Sequence, residues 1–458
     1  MGGAQVLILL YFVYTATCNE QLKIRFQWKE LDYDFTTPAL RQQAIDTGNF
    51  IPKNNIPMGL EIFQDKLFIT VPRWRQGVPA SLNYVDLKDT NNTSPKLKPY
   101  PSWAAHSGSK PTEIISPFRT RIDRCSRLWV LDNGKIGSLE SVPTIYPPSI
   151  IVYDLTSDNL IRKYEIPQNQ VKQDSGFANI AIEDSDCQKT YAYLGDVGKA
   201  GLVVYSWEKN ESWRISHHFF YPDPLACEYN VKGLTFNWTD AIFGMGISGP
   251  NPDGFSTLYF HPMSSYYEFK VSTEYLRNES VAETNFEAFQ NLGTRGPNSQ
   301  SSASFLDQKT GVLFYSLVNL NAVACWKTSN KEYLMKNQGR IYMDDETMVY
   351  PTDIKVDYND NLWVLSNKLP VWMYSNLNPD EVNFRVFSAP VINAISHTAC
   401  DVTARSDILQ KFDKFGNKVK NITKNIASVF NSSAISSSST SLIVIAIVAS
   451  FIAYVVPN

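Results

Sequence analysis

Short apolar runs, each closed by a polar turn, recur along this chain. The clearest is Arg127-Leu-Trp-Val-Leu-Asp-Asn-Gly134, with a second copy at Asn361-Leu-Trp-Val-Leu-Ser-Asn-Lys368. Runs of this length, bounded by Gly, Asn and Asp, read as strands. Four more fit the pattern: Lys66-Leu-Phe-Ile-Thr-Val71, Thr190-Tyr-Ala-Tyr-Leu-Gly-Asp196, Ala241-Ile-Phe-Gly-Met-Gly-Ile247 and Val312-Leu-Phe-Tyr-Ser-Leu317. Their starts lie roughly 50 to 70 residues apart, a period that suits a repeated four-stranded sheet with long loops. Ahead of each stands a shorter run led by a polar residue: Gly59-Leu-Glu-Ile62, Thr112-Glu-Ile-Ile115, Ala178-Asn-Ile-Ala181, Lys232-Gly-Leu-Thr-Phe236, Ser301-Ser-Ala-Ser-Phe305 and Pro351-Thr-Asp-Ile354. The pattern predicts an all-β, six-bladed β-propeller over residues 19–405, with this second set as its innermost strands. The aromatic and acidic stretch from Phe26 to Phe35 predicts an opening strand that pairs with the last blade. Such a closure removes two bare sheet edges.

Length alone would suggest two or three domains for 458 residues. A closed repeat overrides that expectation, because each unit must bury its faces against its neighbours. A net charge of −3 gives no bulk attraction to nucleic acid or to an anionic membrane surface. Both termini carry targeting signals. Residues 1–18 form a short apolar run ending in small residues, which reads as a secretory signal. Residues 406–441 read as a polar stalk, and 442–458 as an apolar tail. That tail is shorter than the ~20 residues of a spanning helix. Behind small residues and a polar spacer it reads as a GPI-anchor signal with attachment at Asn431, Ser432 or Ser433; a tail anchor is the rival reading. Sequons at Asn91, Asn92, Asn210, Asn278, Asn421 and Asn431 agree with a secreted surface. Asn237-Trp-Thr also matches, but within an apolar run that predicts poor access. Without Cys18, five cysteines remain, which in an oxidising compartment predicts two disulfides and one thiol.

In a radial array the leading polar residues would ring the axis: Glu61, Glu113, Asn179, Lys232, Ser302, Thr352 and Asp353. Any one of them could simply close a strand end by hydrogen bonding. Together, convergent polar groups in a mostly apolar cavity are the usual form of a small-molecule site. The five histidines are scattered and form no Ser/His/Asp motif, and His261 in Phe-His-Pro reads as a packed turn residue. Glu61, Asn179 and Asp353 offer oxygens of the kind that hold calcium in lactonase-like propellers. Three strand-start oxygens are too little to make a metal or other cofactor the expectation.

Several motifs together resemble the Yellow/major royal jelly protein family of insects. They include Val71-Pro-Arg-Trp-Arg-Gln-Gly-Val-Pro-Ala-Ser-Leu-Asn83, Cys125-Ser-Arg-Leu-Trp-Val-Leu-Asp132, Gly233-Leu-Thr-Phe-Asn-Trp-Thr-Asp240 and Tyr259-Phe-His-Pro-Met-Ser264. The similarity spans roughly residues 25–400 and implies a secreted six-bladed propeller. It also implies the pairings Cys125–Cys187 and Cys325–Cys400, leaving Cys227 as the odd thiol. Salivary members of the family bind biogenic amines in the axial channel through the last blade. By motif, Pro351-Thr352-Asp353 and Ser366-Asn367-Lys-Leu369-Pro370 match those positions. Leu369 stands where those binders have an aromatic, which removes a stacking surface. Other members act on dopachrome as isomerase-like enzymes, and others serve in cuticle pigmentation without established catalysis. The resemblance therefore implies a secreted or surface-anchored protein of melanin or cuticle pigmentation. It would hold a small aromatic amine or catechol-derived quinone in the channel through Thr352, Asn367, Leu369, Asn179 and Ser302. As an isomerase it would need a proton carrier, for which Glu61, Glu113 and Asp353 are candidates if burial raises a carboxylate pKa. A structural role without catalysis is the further alternative.

Overall fold

The computed structural model describes residues 22–402, apart from 90–91, 107–113 and 142–143. Six four-stranded antiparallel sheets surround one axis. Their innermost strands are Gly59–Phe63, Pro117–Ile122, Phe177–Glu183, Ile242–Ile247, Ser304–Asp307 and Pro351–Val356, in blades 1 to 6. Each inner strand touches the next, and the sixth touches the first, so the ring is closed. The strand Lys23–Trp28 pairs with Phe384–Pro390 and forms the outer edge of blade 6. This is the closure expected from the sequence.

The blades are joined by apolar cores between their faces. Leu128, Val130 and Ile151 of blade 2 pack with Phe68 and Leu82 of blade 1. Trp129 and Leu131 meet Ile180, Leu194 and Val203 of blade 3 on the other face. A strand covered on both sides has no polar face to show, so Arg127–Asp132 and Val312–Leu317 are buried along their whole length. The repeated Trp has its own device. The indole N–H of Trp129 donates to Asp123 Oδ2 at 2.7 Å, and that of Trp363 to Asp357 Oδ2 at 2.8 Å. In both blades the Asp sits in the turn before the strand, and its other oxygen accepts backbone N–H groups of that turn. Disulfides Cys125–Cys187 and Cys325–Cys400 tie blade 2 to blade 3, and blade 5 to the segment after the helix Val391–Ile395. Cys227 is a free thiol.

Five expectations are corrected. Of the expected segment Thr112–Ile115, the described residues Ile114 and Ile115 lie outside the inner strand of blade 2. The amides of Ile115 and Ser116 donate to the Asp132 carboxylate at 2.6 and 2.8 Å, which ties this segment to a strand end, and the inner strand begins at Pro117. Lys232–Phe236 lies in an extra hairpin, Glu228–Val231 with Leu234–Asn237, which turns at Lys232 and Gly233, both at positive φ. Ala241–Ile247 therefore supplies the inner strand of blade 4, not its second strand. Its glycines permit the close approach required there: a Cβ on Gly244 would lie 2.0 Å from the His261 ring. Asn237, on the extra hairpin, is exposed, contrary to the sequence reading. His261 lies in the strand Thr257–Pro262 rather than in a turn, fully buried, 2.8 Å from Glu268, which Arg295 also contacts at 2.8 Å. Asn92, Asn210 and Asn278 are exposed. The signal, stalk and tail segments, with Asn91, Glu113, Asn421 and Asn431, lie outside the described residues.

Candidate functional site at the upper end of the axis

The inner strands start together at one end of the axis, here the upper end. Just inside it, Arg119 of blade 2 reaches across the ring. Its guanidinium donates to Asp353 Oδ1 at 2.6 Å and to the carbonyls of Thr352 and Ser302, and lies 5.5 Å from the ring centroid of Phe243. One fully buried side chain thus touches blades 4 and 6 and the approach to blade 5. Lys355 adds a second cation, 2.8 Å from the same Asp353 oxygen. The other oxygen of Asp353 accepts from the Leu60 amide at 2.9 Å. Burial pulls the pKa values of both Arg119 and Lys355 down, and the Asp353 charge opposes that pull. Asp353 is therefore the anchor of a dehydrated charge network that closes the axis.

One step lower, Glu61 accepts from the Ile122 amide at 3.2 Å and from Arg121 at 3.4 Å. Burial pushes its carboxyl pKa up, against the pull of Arg121 and Lys355. Arg121 lies 4.5 Å from the Phe305 ring centroid. Asn179 donates to the Phe243 carbonyl at 2.9 Å. Beneath this level a cavity of about 20 Å³ is lined by Arg121, Asn179, Ser304 and Lys355, room for about one water. Among the described residues no cluster of three His, Cys, Asp or Glu is placed to hold a metal.

Above Arg119 the walls are aromatic. Phe118 and Phe243 stand 5.8 Å apart edge to face, Trp74 is 5.3 Å from Phe118, and Trp372 is 6.3 Å from Trp74. The Arg75 guanidinium sits 3.9 Å from the Trp372 centroid. On the opposite side the extra hairpin brings Phe236 to 5.3 Å and Trp238 to 6.2 Å from Tyr374, with Trp238 6.1 Å from Tyr350. Trp372 and Tyr374 belong to the helix Leu369–Tyr374, which starts where the Asn367 side chain accepts from the Leu369 amide at 3.1 Å. Asn367 also donates to the Pro57 carbonyl at 2.8 Å, so both ends of its amide serve the fold. Leu369 is buried among the same aromatics. The Ser302 hydroxyl donates to the Pro351 carbonyl at 2.9 Å. Thr352 differs: among the described residues its Oγ1 is buried with no hydrogen-bond partner, as is Nε of Arg119.

The structure thus gathers Ser302, Thr352 and Asp353 about Arg119, sets Glu61 one level down, and leaves Asn367 and Leu369 at the upper rim. Two residues were missed by sequence reading. Arg119 was hidden by placing the inner strand of blade 2 too early. Its signal was the pair Arg119 and Arg121, two apart and so on one face of an apolar strand. The other is Asp240, immediately before the inner strand of blade 4. Its partly exposed carboxylate has no hydrogen-bond or ion-pair partner among the described residues, and burial pushes its pKa up to about 6. Its neighbours in electrostatic range are Cys227, Tyr229 and Tyr350.

Comparison with known proteins adds a lineage to this geometry. The family model described as major royal jelly protein matches residues 115–400. Protein yellow of Drosophila melanogaster is 39% identical over 404 residues, covering 87% of this chain and 74% of that one, and the protein of Drosophila yakuba matches equally well. A dopaminechrome tautomerase of Drosophila melanogaster is 42% identical over 395 residues, covering 84% of this chain and 85% of that one.

Proposed function

This chain belongs to the Yellow/major royal jelly protein family, and from that premise we propose that it holds a catechol-derived indole quinone at the upper end of its axis and isomerises it, as a secreted protein of pigment or cuticle metabolism. The observation that carries this reading is the aromatic cluster of Trp74, Phe118, Phe243 and Trp372 packed beside Arg119, where Thr352 Oγ1 and Arg119 Nε are buried with no hydrogen-bond partner among the described residues. A flat, electron-poor ring suits such walls. Its oxygens are acceptors, and the guanidinium and hydroxyl beneath are donors. As the quinone becomes a dihydroxyindole, negative charge grows on those oxygens, where a preset buried cation acts most strongly. Thr352 and Ser302 flank that floor, Asn367 and Leu369 shape the rim, and Asn179 sits on the blade 3 side of the axis.

A second reading is binding of an aromatic amine without turnover. It is favoured by one fact: Glu61 and Asp353 are both held by backbone amides and basic side chains, which suits anchors better than proton carriers. The experiment is to mix the purified protein with dopaminechrome and follow its decay against buffer, while titrating dopamine, serotonin and octopamine by calorimetry. Accelerated decay supports the isomerase. Heat without turnover supports the carrier, and silence in both removes the site. Secretion accords with the two disulfides. Attachment through residues 442–458 is tested by release from cells with phosphatidylinositol-specific phospholipase.

A further inference from the structure

We propose that the cavity between the end of the closing strand Lys23–Trp28 and the helix Leu369–Tyr374 is a second binding site, and that it takes a small aromatic carboxylate. The site is separate from the axis and stands whether or not the isomerase reading does.

The cavity has a volume of about 360 Å³, within the range of small-molecule sites. Asn55, Trp372, Asn383 and Phe384 form its deep part, each no more than 2% exposed. Its walls are pinned by hydrogen bonds. The Trp372 indole N–H donates to the Lys53 carbonyl at 2.9 Å, which joins the helix to the turn Pro52–Asn54. Asn383 Nδ2 donates to the Lys29 carbonyl at 2.9 Å and the Asn378 carbonyl at 2.8 Å. Asn55 Nδ2 donates to the Ile51 carbonyl at 2.8 Å and the Gly77 carbonyl at 3.0 Å. The space is therefore formed before any ligand arrives. Trp372 and Arg75 are common to this cavity and the upper rim, but Trp74, Phe118, Phe243 and Arg119 do not line it.

Its charge is unbalanced. Lys29, Lys53 and Arg75 line it against one carboxylate, Glu30. Among the described residues neither lysine makes an ion pair. Arg75 is the placed donor. Its guanidinium lies 3.9 Å from the Trp372 ring centroid, and its Nη2 donates to the carbonyls of Trp372 at 2.9 Å and Met373 at 3.4 Å. Stacking and carbonyls together fix the guanidinium plane. Nε and Nη1 have no hydrogen-bond partner among the described residues. The carboxylate in electrostatic range of Arg75 is Glu140, which does not line the cavity and accepts from the Gln76 amide at 2.8 Å.

These features select a ligand class. A fixed guanidinium with free donors fits a planar two-oxygen acceptor, which is a carboxylate. Trp372, Leu377 and Phe384 beside it offer apolar surface that suits a ring. An inorganic anion would leave that surface unused, and a cationic amine would meet three like charges.

The test uses the full-length protein and calorimetric titration with two probes that share a ring and differ in charge, indole-3-acetate and tryptamine. The wild type should bind indole-3-acetate with Kd of about 1 mM or tighter, and tryptamine about tenfold more weakly or worse. Arg75→Ala should weaken the acid about 10- to 100-fold. Asn376→Glu places a new carboxylate at an exposed position of the lining and should weaken it about tenfold or more. Thermal melting checks that each variant is folded; should Arg75→Ala fail to fold, Asn376→Glu decides alone. A wild type that takes up no indole-3-acetate, or binds tryptamine as well, overturns the proposal. So does acid binding that Asn376→Glu leaves unchanged, because the acid then sits elsewhere. None of these results bears on dopaminechrome decay, so the axial reading fails or survives separately.

Discussion

At the lower end of the axis, opposite charges meet. Arg124 lies 3.3 Å from Asp184, Lys309 pairs with Asp360, and Arg121 lies 3.4 Å from Glu61. The depression there, about 350 Å³, is lined by Arg121, Arg124, Asp184, Lys309 and Asp360 with Asp307 and Tyr358. At the upper end the same six strands deliver a different chemistry. Aromatic rings replace the ion pairs, and Arg119 shows an unpartnered Nε beneath them. Asp240 has a carboxylate with no hydrogen-bond or ion-pair partner among the described residues. The charges on the axis are paired at both ends, but the upper end leaves Nε of Arg119 and the Thr352 hydroxyl without a hydrogen-bond partner among the described residues. Unpaired buried polar groups cost stability, so a ligand that completes them is the economical explanation.

The network between the two ends should give the largest effect. Asp353→Ala removes the carboxylate that, among the described residues, contacts both Arg119 and Lys355, each buried, and strips the Leu60 amide of its acceptor. Breaking a buried ion pair from one side costs about 3–5 kcal/mol. The expected outcome is a loss of that size in denaturant unfolding at pH 7. A loss below about 1 kcal/mol would mean that water reaches the network and that the axis is open rather than closed.

Asp240 separates the ends by sign. A carboxyl whose folded pKa is about 6, above its ordinary 3.8, binds protons more readily folded than unfolded. Its stabilising effect is complete when protonated, and stability falls as pH rises from about 4 to 6. Each pK unit is 1.36 kcal/mol; discounted for partial exposure, the cost near pH 7.5 is about 2 kcal/mol. Asp240→Asn should therefore melt higher than the wild type at pH 7.5, with the gap closing at pH 4.

The walls come next. Trp74 is partly exposed and packs on Phe118 and Trp372. Trp74→Leu keeps an apolar side chain, though a smaller one, and removes a ring face. It should weaken calorimetric binding of dopamine by about 1 kcal/mol, roughly fivefold, with little change in melting temperature.

Much of the fold was legible because its physics is local or repeated. Strands covered on both faces read as unbroken apolar runs, and the Trp129 and Trp363 segments repeat because each indole is capped by an Asp six residues earlier. The misread blade follows from the same logic. Ile242–Ile247 is as apolar as a second strand, and its inner position shows only in glycines that admit His261 and Leu306. What could not be read is what depends on distant partners. Arg119 meets Asp353 across 234 positions of sequence. The state of Asp240 is set by the burial around it, and no local pattern announces that a carboxylate will lack a partner.

The lower end supplies the smallest effect and the control for all the others. The Arg124 side chain is about half exposed, at 47%, against 12% for Asp184. An exposed arginine gains little from its pair, because water screens the charges and the long side chain loses freedom; such pairs are worth about 0–1 kcal/mol. Arg124→Ala should therefore shift unfolding by less than about 1 kcal/mol and leave both dopamine binding and dopaminechrome decay at wild-type values. It removes a cation from the same axis, so it also tests whether simple electrostatic attraction along the channel is enough. If Arg124→Ala weakens binding as much as Trp74→Leu does, ligand enters or rests at the lower depression, and the assignment of function to the aromatic end falls. If it does not, the two ends divide the labour, with the paired charges below holding the ring together and the unpaired groups above meeting the guest.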